Sequence, residues 1–298
     1  MNPVLIIGCG DIGRRVAHAV QAAPVTGVVA TTGSAERLRT LGVDAIQLDL
    51  DGPLSAMQLP AAGRELYYFA PPPGDGERDG RVRRVTAALQ AGDALPVRVV
   101  YISTSAVYGD CGGAWIDETA PLRPGTARGR RRLDAERQWS DWSGRTGVPL
   151  VILRVPGIYA PDRLPVERLR AGLPVLAEAD APYTNRIHAD DLARICIAAM
   201  GRGQPGSVYN VSDGRPTTMT DYFNQVADRL GLPRPPVVDR AAAAEALSPA
   251  MLSFLEESKR LDNRRMVEQL GVELMYPDLL AGLANAAGTP DRAGARTR

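Results

Sequence analysis

Short apolar runs alternate with amphipathic stretches through the first half of the chain. Val4-Leu5-Ile6-Ile7 is bounded by glycine, the pattern of a strand buried on both faces of a parallel sheet. A helix is expected from about Ile12, with Ile12, Val16, Ala19 and Val20 on its inward stripe. Residues 28–30 read as a second strand, 35–41 as a helix and 45–49 as a third strand. Residues 66–70 form a fourth, stopped by Pro71-Pro72-Pro73, which offers no amide donors. A helix over 81–90 delivers a fifth strand at 97–103. A long loop, 109–124, then precedes a basic helix from about 126 to 144 and a sixth strand at 150–155. Strands alternating with helices of this length predict an α/β fold, a Rossmann-type doubly wound parallel sheet covered on both faces.

Beyond Pro156 the regularity weakens. Pro161, Pro165, Pro174 and Pro182 interrupt the stretch, which suggests a pocket wall rather than sheet. A helix returns at 188–200 and a strand at 207–211. From about Arg215 the chain reads as helices and loops, including an alanine-rich piece near Ala241 and a helix carrying Leu261, Met266, Val267 and Leu270. The expected organisation is a Rossmann domain of residues 1–155 and 188–212. A smaller, mainly helical substrate domain takes 156–187 and 213–289, followed by a flexible tail, 290–298.

Charge narrows the partners. Thirty-five basic residues against 34 acidic ones leave a net charge of +1, too little to draw the whole chain to nucleic acid or an anionic membrane. No apolar run reaches membrane-spanning length and no leader pattern opens the sequence, so a cytoplasmic protein is expected. Three cysteines far apart and two histidines give no metal-ligand spacing and no disulfide framework. The expected partner is a small-molecule substrate, with the chain a monomer or homodimer. Arg128, Arg130, Arg131 and Arg132 make the strongest positive patch. Asp134 and Glu136 follow at once and no aromatics interleave, so a solvated helix with one face toward a cofactor is expected.

Gly8-Cys9-Gly10-Asp11-Ile12-Gly13 matches a dinucleotide fingerprint in the right context, directly after a strand and opening a helix. Gly8 permits the tight turn, Gly10 lets the backbone approach a pyrophosphate, and Gly13 lets the helix pack on the sheet. Amides at the helix start would meet the phosphates. At the end of the second strand stand Thr31, Thr32, Gly33 and Ser34, with Arg37 just beyond and Arg14 after the glycine loop. No carboxylate is there to repel a 2′-phosphate, and hydroxyls with an arginine can receive one, so NADP is expected, with NAD the alternative. Asp49 suits the adenine edge or a turn equally well. Ala70 and Pro71, where the fourth strand stops, and Arg132 complete the expected cofactor set with Gly8, Gly10, Asp11, Ile12, Gly13, Arg14, Thr32 and Arg37.

Further motifs follow in order: Ser103-Thr104-Ser105-Ala106-Val107-Tyr108-Gly109, Asp117-Glu118 with Pro121, Leu153-Arg154-Val155-Pro156-Gly157-Ile158-Tyr159, His188-Ala189-Asp190-Asp191 and Val208-Tyr209-Asn210-Val211. Together with the glycine loop they resemble the extended short-chain dehydrogenase/reductases, the NAD(P)-dependent epimerases and dehydratases that act mostly on nucleotide sugars. The loop from Tyr108 to Glu118 and Ser258-Lys259-Arg260-Leu261-Asp262-Asn263 look most like an atypical subgroup of that family. The resemblance implies that Thr104 orients the substrate oxygen, with Ser105 and Arg186 as substrate contacts. It also implies a Tyr and a Lys on the following helix, at the positions of Arg128 and Arg132. Neither is retained; Lys259 is the chain's only lysine, and an arginine holds its proton near neutral pH. Tyr108 is the first substitute to weigh as proton donor, with Tyr159, Tyr183, Asp110, Asp117 and Glu118 behind it. The sequence therefore supports an epimerase/dehydratase-like oxidoreductase, with a non-catalytic NADP(H)-binding sensor as the competing reading.

Overall fold

The structure is a computed structural model that describes residues 2–20, 22–92 and 95–284; the expected tail lies outside the described residues. Seven strands form the central sheet: β1 (Val4–Ile7), β2 (Val25–Val29), β3 (Asp44–Gln47), β4 (Glu65–Tyr68), β5 (Arg98–Thr104), β6 (Leu150–Val155) and β7 (Val208–Asn210). Their order is β7-β6-β5-β4-β1-β2-β3, and every neighbouring pair is parallel. The strand order reverses between β1 and β4. That is the crevice where ligands enter such sheets.

The period of two along each strand sorts its side chains between two cores. Val4, Ile6, Val100, Ile102, Val151 and Leu153 face helices α1 (Asp11–Ala19), α2 (Thr32–Thr40) and α6 (Ala189–Arg202), against Val16, Leu38, Leu192 and Ile195. Leu5, Ile7, Val99, Tyr101, Leu150 and Ile152 face α3 (Gly80–Ala91) and α4 (Ala127–Thr146), against Val82, Val85, Trp139 and Trp142. Each such large side chain contributes about 1.5–3 kcal/mol by leaving water. The doubly wound sheet expected from the alternation is therefore present.

β2 begins at Val25, earlier than expected, and includes Gly27. A Cβ there would lie 2.7 Å from Leu38 Cδ1 and 2.9 Å from Cys9 Cβ, so close packing, not flexibility, places glycine in this strand.

The remaining helices are α5 (Val166–Arg170), α7 (Met219–Leu230), α8 (Arg240–Ala246), α9 (Pro249–Leu255), α10 (Arg264–Leu270) and α11 (Leu279–Leu283). Tyr159, Leu169, Phe223, Val226 and Leu283 form a separate apolar cluster beneath α7 and α11. The proline-broken stretch is not free of strands: Gly157–Tyr159 pairs in parallel with Arg186–His188, and Val175–Leu176 with Val237–Val238. Leu261, expected in a helix, instead lies in a two-residue strand, Arg260–Leu261, parallel to Trp115–Ile116. The helix starts only after Asn263. The cause is that Asn185 accepts from the Leu261 amide at 2.8 Å and donates to the Lys259 carbonyl at 3.0 Å, holding this segment extended.

Candidate cofactor and active site

The glycine loop turns at the crevice between β1 and β4. Gly8 has φ +84°, and a Cβ on it would lie 2.3 Å from the Ala70 amide nitrogen. Gly13 packs its Cα against Ile6 and Cys9, where a Cβ would meet atoms at 3.1 and 3.2 Å. Gly10 is different: only the Gly8 carbonyl stands near its missing Cβ, at 4.0 Å, so its outer face is open. Gly10 is the N-cap of α1 and supplies no side-chain cap, whereas α2, α3, α4, α6 and α7 are each capped by a side chain. The first-turn amides of Asp11, Ile12 and Gly13 thus face the crevice without an internal acceptor.

Asp11 brings a carboxylate to this anion-attracting end, and its charge is balanced. It accepts from Arg15 Nε at 3.1 Å and from Arg163 Nη1 at 2.7 Å, with Arg14 at 3.9 Å. Burial would raise its pKa, but the hydrogen bond from Arg163 and the charge of Arg15 prevail and hold it below the usual carboxylate range. Arg15 also pairs with Asp190 at the start of α6.

At the end of β2, Thr31 caps α2 by accepting from the Ser34 amide at 3.3 Å and donates to Ser34 Oγ at 2.9 Å. Arg37 Nη2 donates to the same Ser34 Oγ at 3.2 Å. These exposed groups form one hydroxyl–guanidinium cluster with no acidic residue in its hydrogen bonds. Thr32 turns away, donating to Gln47 Oε1 at 3.0 Å, so Ser34 and Thr31 accompany Arg37 where Thr32 was expected. Asp49 accepts from the Asp51 amide at 2.9 Å, which is the turn reading of that residue. Ala70 donates to the Ile7 carbonyl at 3.1 Å and walls the crevice beside Gly8; Pro71 follows it, its carbonyl accepting from Arg81 at 2.9 Å.

β5 ends in Thr104, half-buried, whose Oγ1 accepts from the Ala106 amide at 3.4 Å as the chain turns through Ser105 to Tyr108. Tyr108 is 1% exposed. Its hydroxyl donates to Asn210 Oδ1 at 2.7 Å and accepts from Arg154 Nη1 at 2.9 Å. Burial pushes its pKa up to about 12 against the opposing pull of Arg154. Arg154 forms a two-point pair with Glu136, at 3.1 and 2.8 Å, and Ser103 donates to the same carboxylate at 2.5 Å. Asn210 continues the chain of contacts, its amide donating to Glu118 Oε1 at 2.7 Å. This network joins β5, α4, β6 and β7 in the interior. Sequence reasoning missed it, although an arginine inside the apolar run 150–155 is a signal that a carboxylate must lie opposite.

The arginine run on α4 is dispersed instead of forming a solvated patch. Arg128 lies 4.3 Å over the Phe254 ring in α9. Arg130 pairs with Glu77 at 2.8 Å, and buried Arg131 donates to the Gly76 carbonyl at 2.6 Å. Arg132 is tied to β5, donating to the Ile102 carbonyl at 3.0 Å and the Tyr101 hydroxyl at 3.4 Å. The arginines thus anchor the 74–77 loop and α9 to α4.

The other residues singled out are also engaged. Asp110 accepts from the Ser258 amide at 2.8 Å and Asp117 from Thr119 at 2.6 Å. Tyr159 donates to the Asp278 carbonyl at 3.0 Å, and Tyr183 lies under Arg260 at 4.6 Å. His188 caps α6 through Nδ1, its ring 3.8 Å from Tyr276; burial lowers its pKa despite Asp190 and Asp191, so it is neutral near pH 7. Arg186 stands 3.8 Å over the Tyr222 ring, with Nε lacking any acceptor among the described residues. Beside it, burial lifts Asp213 to about 7. The proximity of Arg186 to Asp213, whose backbone amide donates to the Arg186 carbonyl at 2.9 Å, was not foreseen. Among the described residues no group of three or more His, Cys, Asp or Glu could hold a metal, and no helix is long and apolar enough to cross a membrane.

Residues 4–212 match the model of the NAD dependent epimerase/dehydratase family. The chain belongs to that family. Among solved structures, a conserved protein of unknown function from Silicibacter pomeroyi DSS is 35% identical, with a TM-score of 0.82 over 95% of this chain and 97% of the other. The Escherichia coli (strain K12) protein YeeZ is 27% identical over 291 residues, 94% of this chain and 98% of its own. MoeE5, solved with UDP-glucose and NAD, shares the fold at 22% identity and a TM-score of 0.75, over 96% of this chain and 97% of that one. Within this epimerase/dehydratase family the matched region spans the glycine loop, Thr104 and the whole Tyr108 network, while Lys259 and its neighbours lie beyond it.

Proposed function

We propose that the chain is an NADP-linked oxidoreductase of the epimerase/dehydratase kind, acting at a hydroxyl or carbonyl carbon of a nucleotide sugar or a related compound. The observation that carries this reading is the open start of α1 at the β1/β4 crevice, with Gly8 held at a positive φ against the Ala70 backbone and Gly13 packed tightly on Ile6 and Cys9. Gly10, Asp11, Ile12, Gly13 and Arg14 would hold the pyrophosphate, Ala70 and Pro71 the neighbouring wall, and Ser34 and Arg37 the 2′-phosphate. Bound there, the dinucleotide supplies hydride chemistry. Thr104, at the carboxyl end of β5, orients the reacting oxygen, Ser105 lies beside it, and Arg186 receives an anionic group of the substrate. Arg132 steadies β5 beneath them, and Tyr108 acts through position, as part of the buried network. In this reading residues 1–155 with 188–212 carry the cofactor, and 156–187 with 213–289 carry the substrate.

The arginines at 128 and 132, where the resemblance expects Tyr and Lys, favour the second reading, a protein that binds NADP(H) without turnover. Titration with NADPH, NADP⁺, NADH and NAD⁺, followed by fluorescence and calorimetry, tests both. Saturable binding with NADPH tighter than NADH is expected. Arg37→Ala should erase about tenfold or more of that preference, the scale of one charge-assisted contact. Silence with all four nucleotides would sink both readings; binding without reduction of NADP⁺ by any nucleotide sugar would favour the sensor.

A further inference from the structure

One segment from beyond β6 reaches the start of α1. After the strand Gly157–Tyr159 the chain makes a single 3₁₀ turn, Pro161–Arg163, closed by the Arg163 amide on the Ala160 carbonyl at 2.9 Å. Its two charged residues dock on α1 in opposite senses. Arg163 Nη1 donates to Asp11 Oδ2 at 2.7 Å, and Asp162 Oδ1 stands 3.6 Å from Arg15 Nη2. Asp11 and Arg15 are four residues apart, so they share one face of the helix, and they bond to each other at 3.1 Å. Two pairs of opposite polarity fix which way the turn sits on the helix. The junction is open to solvent: Asp11, Arg14, Arg15 and Asp162 line a cleft of about 490 Å³ together with Asp190 and Arg194 of α6.

The two arginines of the junction are used very differently. Arg15 is spent, with Nε on Asp11, Nη1 on Asp190 and Nη2 on Asp162. Arg163 is engaged at Nη1 alone, and its Nε and Nη2 have no partner among the described residues. It is also the more open of the two, 37% exposed against 24%. An ion pair so exposed adds little to stability, so holding the fold together is a weak reason for it. What the pair does is keep a forked cation beside Asp11, whose own amide is one of those left without an acceptor at the helix start. A carboxylate in the first turn suits a bare helix start, but it repels a pyrophosphate bound to that turn. Arg14, Arg15 and Arg163 offset its charge at 3.9, 3.1 and 2.7 Å, and of the three Arg163 alone comes from outside α1.

On the cofactor reading above, we propose that Arg163 is a further nucleotide-binding residue, whose guanidinium closes over the pyrophosphate at the start of α1 while Asp11 keeps it within reach. Nη1 stays on the carboxylate, and the unengaged nitrogens serve a phosphate oxygen. Because Arg163 belongs to the segment between β6 and the Arg186–His188 strand, the same contact draws the proposed substrate side onto the bound nucleotide.

Titration of the full-length protein with NADPH, followed by fluorescence, separates a phosphate contact from a mere prop, because breaking the pair from its two ends then has opposite effects. Arg163→Ala should weaken NADPH about tenfold or more, the scale of one charge-assisted contact, with its melting temperature nearly unchanged. Asp11→Asn keeps the backbone amide and removes the repelling charge, so it should bind NADPH at least as tightly as the natural protein. Arg163→Lys keeps the charge without the fork and should fall between the natural protein and Arg163→Ala. A loss in Asp11→Asn as large as that in Arg163→Ala would mean that the arginine serves only the ion pair. Unchanged affinity in Arg163→Ala would mean that it does not touch the nucleotide. Either result overturns the inference and leaves the cofactor reading standing. If the natural protein binds neither NADPH nor NADH, the cofactor reading fails and the inference with it.

Discussion

The start of α1 and the turn after β5 lie at the same edge of one sheet and are built on opposite plans. At α1 the polar groups are backbone amides left without internal acceptors, and Gly10 has open space where a side chain would be. After β5 the polar groups are side chains, and nearly all are consumed by one another in the chain from Ser103 through Glu136, Arg154 and Tyr108 to Asn210. The first region is prepared for a ligand by what is missing, the second by what is tied down. An open region trades little stability for recognition, whereas a closed network fixes geometry and leaves chemistry to the few atoms outside it.

The comparison can be broken most forcefully from the closed side. Glu136→Gln leaves Arg154 buried with a neutral partner and should destabilise the protein by about 3–5 kcal/mol, the range for removing one member of a buried pair. Chemical denaturation measures this, and a loss under about 1 kcal/mol would mean the pair is not held as tightly as its burial indicates. Gly8→Ala forces a Cβ against the Ala70 backbone at a positive φ and should cost about 2–4 kcal/mol, together with nucleotide affinity. Tyr108→Phe removes one hydroxyl from the network and should cost about 1–3 kcal/mol while leaving NADPH affinity intact. Equal losses of stability and affinity in that variant would erase the distinction between the two regions. Gly10→Ala sharpens it from the open side. With no neighbour nearer than 4.0 Å its melting temperature should hardly move, yet NADPH affinity should fall tenfold or more as the methyl group meets the phosphates.

Legibility followed the same division. The alternation of apolar runs announced the sheet because each strand carries its own pattern, and Leu150–Val155 ends where its sequence does. The glycine loop was legible because its turn, its open helix start and its packing all reside in contiguous backbone. The network around Tyr108 was not, since its members are brought together from β5, α4, β6 and β7 and none shows a local pattern. Tyr108 read either as a proton donor or as a packed aromatic at the mouth of the sheet, and the side chain turns inward to Arg154. Leu261 read as helical from its apolar neighbours, and only Asn185, far away in the chain, keeps it extended. Thr32 and Ser34 were indistinguishable as partners for Arg37 until Gln47 was seen to take Thr32.

The parallel pairing of Trp115–Ile116 with Arg260–Leu261 sets a timetable for folding. The glycine loop and its neighbour Ala70 meet early, within the first strands to emerge during synthesis. The wall opposite must wait until nearly the whole chain exists, because a segment near its far end closes the loop, and contacts so distant in sequence are slow to form. The glycine loop and Ala70 are therefore in place before that pairing forms, and a nucleotide bound there, as proposed above, would stabilise the partly folded chain until its last strand arrives.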